Sequence, residues 1–399
     1  MRVFGLSTIV GVFWVIGCGG GGGSGGTGSG GTGSGGGGES SSSTSASSVG
    51  GAGSTAVTTG SSSSGQGGAG GAHPGLIPMF VAQGHVGRTM ISCDSGKTWV
   101  ANRSDDDSVV CFANGFDCDH GPGAANGLAW GDGWFYGTFG WGQPGSIRRS
   151  HDGVTWDKVV NDTTFGGLAF GNGKVLAGAR NPRISADGVA WTELAEVPLD
   201  IWNIREVAFA PHEGGRFVLV GNDGAVRQIA VSSNDGASWD LPKVPDACDV
   251  SFYRAGGIAH GNGVLLVTDG GAHVCRSVDG GATWTAGDLG GGIESQLLWT
   301  GKEFMGWGGG TLRRSADGVS WTAQAISPNV NIGSAAVSDD GVFVAVGGGW
   351  DTWYAKQKFF RSDDGVTWQE LAAGSFVGSH PITAMTSGWA APSAACSHP

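Results

Sequence analysis

The residues of this 399-residue chain that could do chemistry are carboxylates and indoles, and their spacing sorts them into two groups. The first group repeats. Asp94, Asp152, Asp187, Asp235, Asp279, Asp317 and Asp364 each sit in a string that opens on Ser and closes on Trp: SCDSGKTW from Ser92, SHDGVTW from Ser150, SADGVAW from Ser185, SNDGASW from Ser233, SVDGGATW from Ser277, SADGVSW from Ser315 and SDDGVTW from Ser362. The second group does not repeat. Asp117-x-Asp119-x-Gly121 places two carboxylates on a bend, as oxygen-ligand calcium loops do, in a stretch that also holds Asp105, Asp106, Asp107 and His120. It lacks the closing acidic residue of an EF-hand, so a solvated acidic loop is the simpler reading and a structural calcium at Asp117 and Asp119 the alternative; no other cofactor is expected. Trp141, Trp202, Trp307 and the run Trp350-Asp351-Thr352-Trp353-Tyr354 are placed in loops, where exposed rings stack on sugars or grip a protein. Packing between sheets competes for each of them, but three aromatics in five residues are hard to bury in one loop.

The repeating string explains itself mechanically. Its Asp can accept backbone amides of a tight turn, its Gly takes the positive φ that such a turn demands, and its Trp opens the next strand with an apolar face. Two copies read in a long form and five are one residue shorter, recurring every 35 to 58 residues. Before each copy comes an apolar strand, a Gly-rich turn, a second strand, a variable loop and a short strand. GLAWGDGWFYGTF from Gly127 is the clearest case, echoed from Gly167, Gly257, Leu297 and Ala335. Four short strands per unit in seven units predict an all-β fold, a seven-bladed β-propeller of four-stranded antiparallel blades. Before Asp94 there is room for only two strands, whereas a lone strand follows the last copy near Pro381. Pairing the two chain ends would complete a blade and leave no open edge.

On these strings the chain resembles the Asp-box, or BNR-repeat, propellers, which include sialidases, sortilin-type receptor domains and photosystem assembly factors. The resemblance covers about residues 76 to 390 and implies that the repeated Asp residues are structural, with any ligand held by the variable loops on the other face. A sialidase would need an Arg triad, a Tyr with a Glu partner, an Asp acid and an aromatic-Arg-Ile-Pro string. The nearest string is Tyr253-Arg254-Ala255-Gly256, and the three Tyr residues, 136, 253 and 354, offer no matching nucleophile. No catalytic residue is carried over. An endo-acting glycan hydrolase needs two carboxylates across a cleft, and nothing selects a pair from Asp119, Asp200, Asp246, Asp269 and Asp351. The expected function is therefore a non-catalytic binding or scaffold module for a glycan or an envelope protein, monomeric, with an extracellular glycoside hydrolase of the sialidase or endo-glucanase type as the alternative.

The termini set the expected location. Arg2 and the apolar run Thr8 to Ile16 read as an export signal, and Val15-Ile16-Gly17-Cys18 resembles a bacterial lipobox, which implies cleavage before Cys18 and lipidation of its thiol. Gly19 is not the acidic residue that retains some lipoproteins at the inner membrane, so an outer-membrane anchor is the default. Residues 19 to 75, mostly Gly, Ser, Thr and Ala, bury too little apolar surface to fold and read as a tether, and residues 391 to 399 as a tail. Six further cysteines in an exported chain predict disulfides among fifteen pairings, with Cys111–Cys118 and Cys93–Cys396 as guesses. A net charge of −12 without a basic stripe argues against nucleic acid.

Overall fold

Hairpins in this chain are set by their turns. Asp132-Gly133, Asn172-Gly173 and Asn262-Gly263 all have positive φ at both residues, the geometry that matches the twist of the strands they join. The computed structural model describes residues 73–106, 124–140, 145–198, 203–222, 227–248, 257–268, 270–347, 358–371 and 380–396. Within them the strands form seven small antiparallel sheets, the blades of a β-propeller. Numbering follows the chain. Blade 2 is Ala124–Gly131, Trp134–Gly140, Ser146–Ser150 and Asp157–Val160, hydrogen-bonded in that order from first to fourth strand. Blades 3, 5, 6 and 7 repeat it, opening on Leu168–Gly171, Ile258–Gly261, Leu298–Trp299 and Ile332–Val337. Blade 4 departs from the expected count: Asn203–Ala210, Arg216–Asn222 and Arg227–Ser232 pair as three strands, and the fourth is reduced to the bridge Val231–Asp240. Leu241-Pro242 follows immediately, and a proline has no amide to extend the ladder.

Blade 1 is made from both ends of the folded chain. Its first strand is Ile382–Ala390, paired along its length with Ile77–Gly84, followed by Thr89–Ser92 and Val100–Arg103. First strands are buried and fourth strands exposed, so the first strands line the ring's axis and the fourth form its rim.

The apolar core lies between the blades. Each of seven clusters joins two successive blades, such as Ala169 and Leu176 of blade 3 with Phe209, Phe217 and Leu219 of blade 4. The circuit closes where Val344 and Phe359 of blade 7 pack with Phe80, Met90 and Met385 of blade 1. A single blade thus has no core of its own, and removing one exposes two clusters at once. Among the described residues two disulfides brace the ring: Cys93–Cys396, as guessed from sequence, and Cys248–Cys275. Cys111 and Cys118 lie outside the described residues. Disulfides of this kind fit an oxidising compartment beyond the cytosol. Among the described residues no helix is long and apolar enough to cross a membrane.

Candidate functional site

In an antiparallel blade, the first-to-second and third-to-fourth connections emerge at one end and the others at the opposite end. The repeated strings are third-to-fourth connections, which defines a clasp face and, opposite it, a loop face.

On the clasp face the conspicuous carboxylates are consumed locally. In the short form, Asp364 Oδ1 accepts the amides of Val366 at 2.8 Å and Thr367 at 2.6 Å and the hydroxyl of Ser362 at 2.9 Å. Asp152, Asp187 and Asp317 bind in the same way. In the long form the accepted amide is one residue further on, at Thr98 for Asp94 and Thr283 for Asp279. Burial alone would raise the Asp279 pKa, but the hydroxyl and amide of Thr283, with Ser277 and the Ala282 amide, outweigh it and hold the carboxyl at about 2. In the six Asp clasps the Oδ1 atom is committed to its own turn, and these hydrogen bonds favour the ionised form.

The fourth copy corrects the expected register. Ser232, not Ser233, opens it, and Asn234 occupies the clasp position, accepting the Ser232 hydroxyl at 2.9 Å and the Ser238 amide at 2.9 Å. Asp235 is displaced to the tip, at φ +56°, where it pairs with Lys174 of blade 3. Three copies are therefore long and four short. Ser232-Ser233-Asn234-Asp235 reads equally well in two frames, and only the hydrogen bonds distinguish them.

The clasp also locks each blade to the one before it. A Cβ added at Gly318 of blade 6 would lie 2.6 Å from Leu266 of blade 5, and one at Gly188 of blade 3 would lie 2.5 Å from the Tyr136 hydroxyl of blade 2. Just before the opening Ser, Arg149, Arg276 and Arg361 reach forward to the clasp carbonyls of Asp187, Asp317 and, across the ring closure, Ser95, at 2.8 to 3.0 Å. Sequence reasoning missed these latches, although Arg-Ser at the head of the string recurs in blades 2, 5, 6 and 7 and was a usable signal.

On the loop face, the chemistry-bearing cluster among the described residues sits where blades 1 and 2 meet the chain's closing strand. Arg148 makes a two-pronged ion pair with Asp105 at 2.9 and 2.6 Å, lies 4.3 Å over the Phe139 ring and is 5% exposed. Arg88 donates to the His380 carbonyl and, at 3.0 Å, to Asn102, while the Ser104 hydroxyl lies 2.8 Å from His380 Nδ1. Burial, with His380 adding to it, pushes His85 down to about 4. Asp105 was legible as one of an acidic run, but its partner Arg148 was not, since nothing in the intervening chain pairs them.

Of the ring candidates, Trp307 is a core residue. The tight turn Gly309-Gly310 leaves Trp307 inside the strand Phe304–Gly308 rather than in a connection; it is 1% exposed, packs edge-on against Trp368 and Phe343, and donates to the Gly365 carbonyl at 2.8 Å. Trp141, Trp202, Trp350, Asp351, Trp353 and Tyr354 lie outside the described residues, as do Asp117, Asp119 and Cys18. Of the five loop carboxylates, Asp246 is described, exposed and two residues before the buried Cys248. The described residues also hold an aromatic bracket on the clasp face that sequence reasoning missed. His73 stands about 5 Å from both Trp130 and Trp389 (5.0 and 4.9 Å), and Trp389 donates to Asp339, whose pKa burial raises.

Architecture and site together define a β-propeller with interlocked blades. No protein-family model and no curated protein sequence matches the chain. Solved structures resemble it in fold. YCF48 from Cyanidioschyzon merolae is 16% identical over 62% of this chain and 84% of that chain, with a TM-score of 0.44. Apo AztD from Citrobacter koseri is 11% identical over 80% and 99%, at 0.48. The periplasmic gluconolactonase PpgL of Pseudomonas aeruginosa is 10% identical over 79% and 100%, at 0.48. Likeness at this level concerns the fold and carries no ligand with it.

Proposed function

We propose that this chain is an exported, lipid-anchored propeller of the bacterial cell envelope that binds a glycan or a protein on its loop face without catalysis. Residues 1 to 18 would be the signal ending at Cys18, residues 19 to 75 the tether, 76 to 390 the propeller and 391 to 399 a tail, with the anchor in the outer membrane. One observation carries the non-catalytic reading: six of the seven repeated carboxylates have Oδ1 committed to the amides and hydroxyls of their own turns, and the seventh, Asp235, pairs with Lys174. The Asp105 carboxylate, on the loop face, is likewise engaged by Arg148. Support for export comes from the disulfides.

The test is binding of the purified protein to an array of sialylated, pectic and β-glucan ligands, with bound sugars then analysed by mass spectrometry. Selective binding that falls at least about tenfold in Trp353→Ala, the size expected for loss of an aromatic anchor, and leaves the sugars intact supports the reading. New cleavage products contradict it in favour of a glycoside hydrolase.

A further inference from the structure

The fourth strands form the ring's rim, and the outer edge of each is a row of backbone amides and carbonyls with no further strand of its blade to meet. Most of these edges are blunted. Val100–Arg103 of blade 1 carries Arg103, Asp157–Val160 of blade 2 carries Asp157 and Lys158, and both have a bulge in their pairing with the third strand. Thr192–Glu193 of blade 3 and Gln369–Glu370 of blade 7 are two residues long and end on a carboxylate, as does Thr285–Asp288 of blade 5. In blade 4 the edge is the single bridge to Asp240, followed by Leu241-Pro242. Charges, bulges, prolines and short runs are the devices that keep a sheet edge from pairing with another chain.

The rim strand of blade 6 has none of them. Thr322–Ala325, Thr-Ala-Gln-Ala, pairs with Thr311–Ser315 in unbroken register, carries no charge and is exposed at every residue. Its hydrogen-bonding directions are fixed. The Ile326 amide donates inward to the Gly310 carbonyl at 3.0 Å, so by the alternation of an antiparallel ladder Gln324 and Thr322 also face inward, while Ala323 and Ala325 turn their amides and carbonyls outward. Ser327, next in the outward series, shows what this edge accepts. Its amide donates to the Val366 carbonyl at 2.9 Å and its carbonyl takes the Trp368 amide at 2.7 Å, a bridge to blade 7. The outward groups of Ala323 and Ala325 meet no such partner among the described residues, and methyl side chains do nothing to screen them.

We propose that this rim edge pairs with the same edge of a second copy, joining two propellers by an antiparallel ladder between their Thr322–Ala325 strands. The edge matches itself. With Ala323 opposite Ala323 across a two-fold axis, the outward groups of each copy face the outward groups of the other. Setting Ala323 opposite Ala325 instead would bring the second copy's Trp321 against Ser327, where Thr367 already stands. No charge on either strand opposes its own image across the axis. Rim-to-rim pairing leaves both faces of each ring uncovered. A run of four residues buries far less than the ~1,200 Å² of a stable interface, and each copy carries a formal net charge of −12, so the pair is weak, concentration-dependent and strengthened by salt.

Sedimentation velocity of the intact, oxidised protein from about 10 µM to about 1 mM tests the contact. The sedimentation coefficient should rise from monomer toward dimer with a dissociation constant of about 0.1–1 mM, which should decrease as salt is raised from about 0.05 M to about 0.5 M. Ala323→Pro removes an outward amide but no ladder bond, and Ala323→Lys places a charge on the edge; each should weaken association at least about tenfold. Ala286→Lys, at an outward position on the blade 5 edge, should leave it unchanged. A protein that stays monomeric at about 1 mM overturns the proposal. So does a dimer that both Ala323 variants leave intact, or one that Ala286→Lys weakens as much. Ala323 is exposed, so the lysine variant keeps its fold, which an unchanged thermal midpoint verifies, and the comparison stands even if the proline variant unfolds.

Discussion

Asn234 makes the clasp of blade 4 with a neutral side chain, so what this turn requires is an acceptor at one position and not a charge. Asp364→Asn should accordingly change stability by less than about 0.5 kcal/mol, whereas Asp364→Ala, which leaves the Val366 and Thr367 amides without their acceptor, should cost about 1–2 kcal/mol in urea unfolding. The charged clasps add a pH signature. Asp279 has a folded pKa of about 2 against an ordinary 3.8, so its contribution is complete above roughly pH 4 and is lost as pH falls toward 2. Asp279→Asn should flatten that part of the acid limb, and an unchanged limb would assign it to other groups. At Gly318, φ is +73° and an added Cβ would lie 2.6 Å from Leu266. Gly318→Ala should therefore cost roughly 2 kcal/mol or more, from left-handed strain and overpacking together.

Among the elements, blades were legible because each announces itself with the same string at intervals the eye can follow. The missing first strand before Asp94 and the spare strand near Pro381 made the closure legible too. What stayed hidden depends on contacts between distant segments. Trp307 reads as a loop residue until Gly309 and Gly310 are seen to form a turn too tight to include it. His85 and His380 lie at opposite ends of the folded chain, and nothing periodic links them. The Arg latches were visible as Arg-Ser repeats but have no meaning until the next blade's carbonyl is placed beside them. The Cys93–Cys396 bond is the element-scale test of closure, since it staples a strand that no turn holds. Cys396→Ser should cost about 2–5 kcal/mol, read as a lower denaturant midpoint, with the loss centred on blade 1 by hydrogen exchange. A uniform loss across all blades would mean that the ring opens elsewhere first.

For the whole molecule, the interlocking of blades separates stability from recognition. The clasp face, the inner strands and the inter-blade cores are committed to holding the ring, and its variable connections remain free to differ from blade to blade. Fold was legible down to the closing strand because closure is a matter of counting strands. The site was not, because a ligand meets a surface assembled from several loops whose sequences share no pattern, and the same propeller supports unrelated activities. The most direct test of the account compares the two faces for whichever array ligand binds. Val319→Lys alters an exposed clasp-face residue, 63% accessible, while Trp353→Ala and Asp351→Asn alter the connection between the second and third strands of blade 7. Affinity should be unchanged in the first variant and fall at least about tenfold in one of the other two. Loss of binding in Val319→Lys, with the blade 7 variants unaffected, would place recognition on the clasp face and contradict the account.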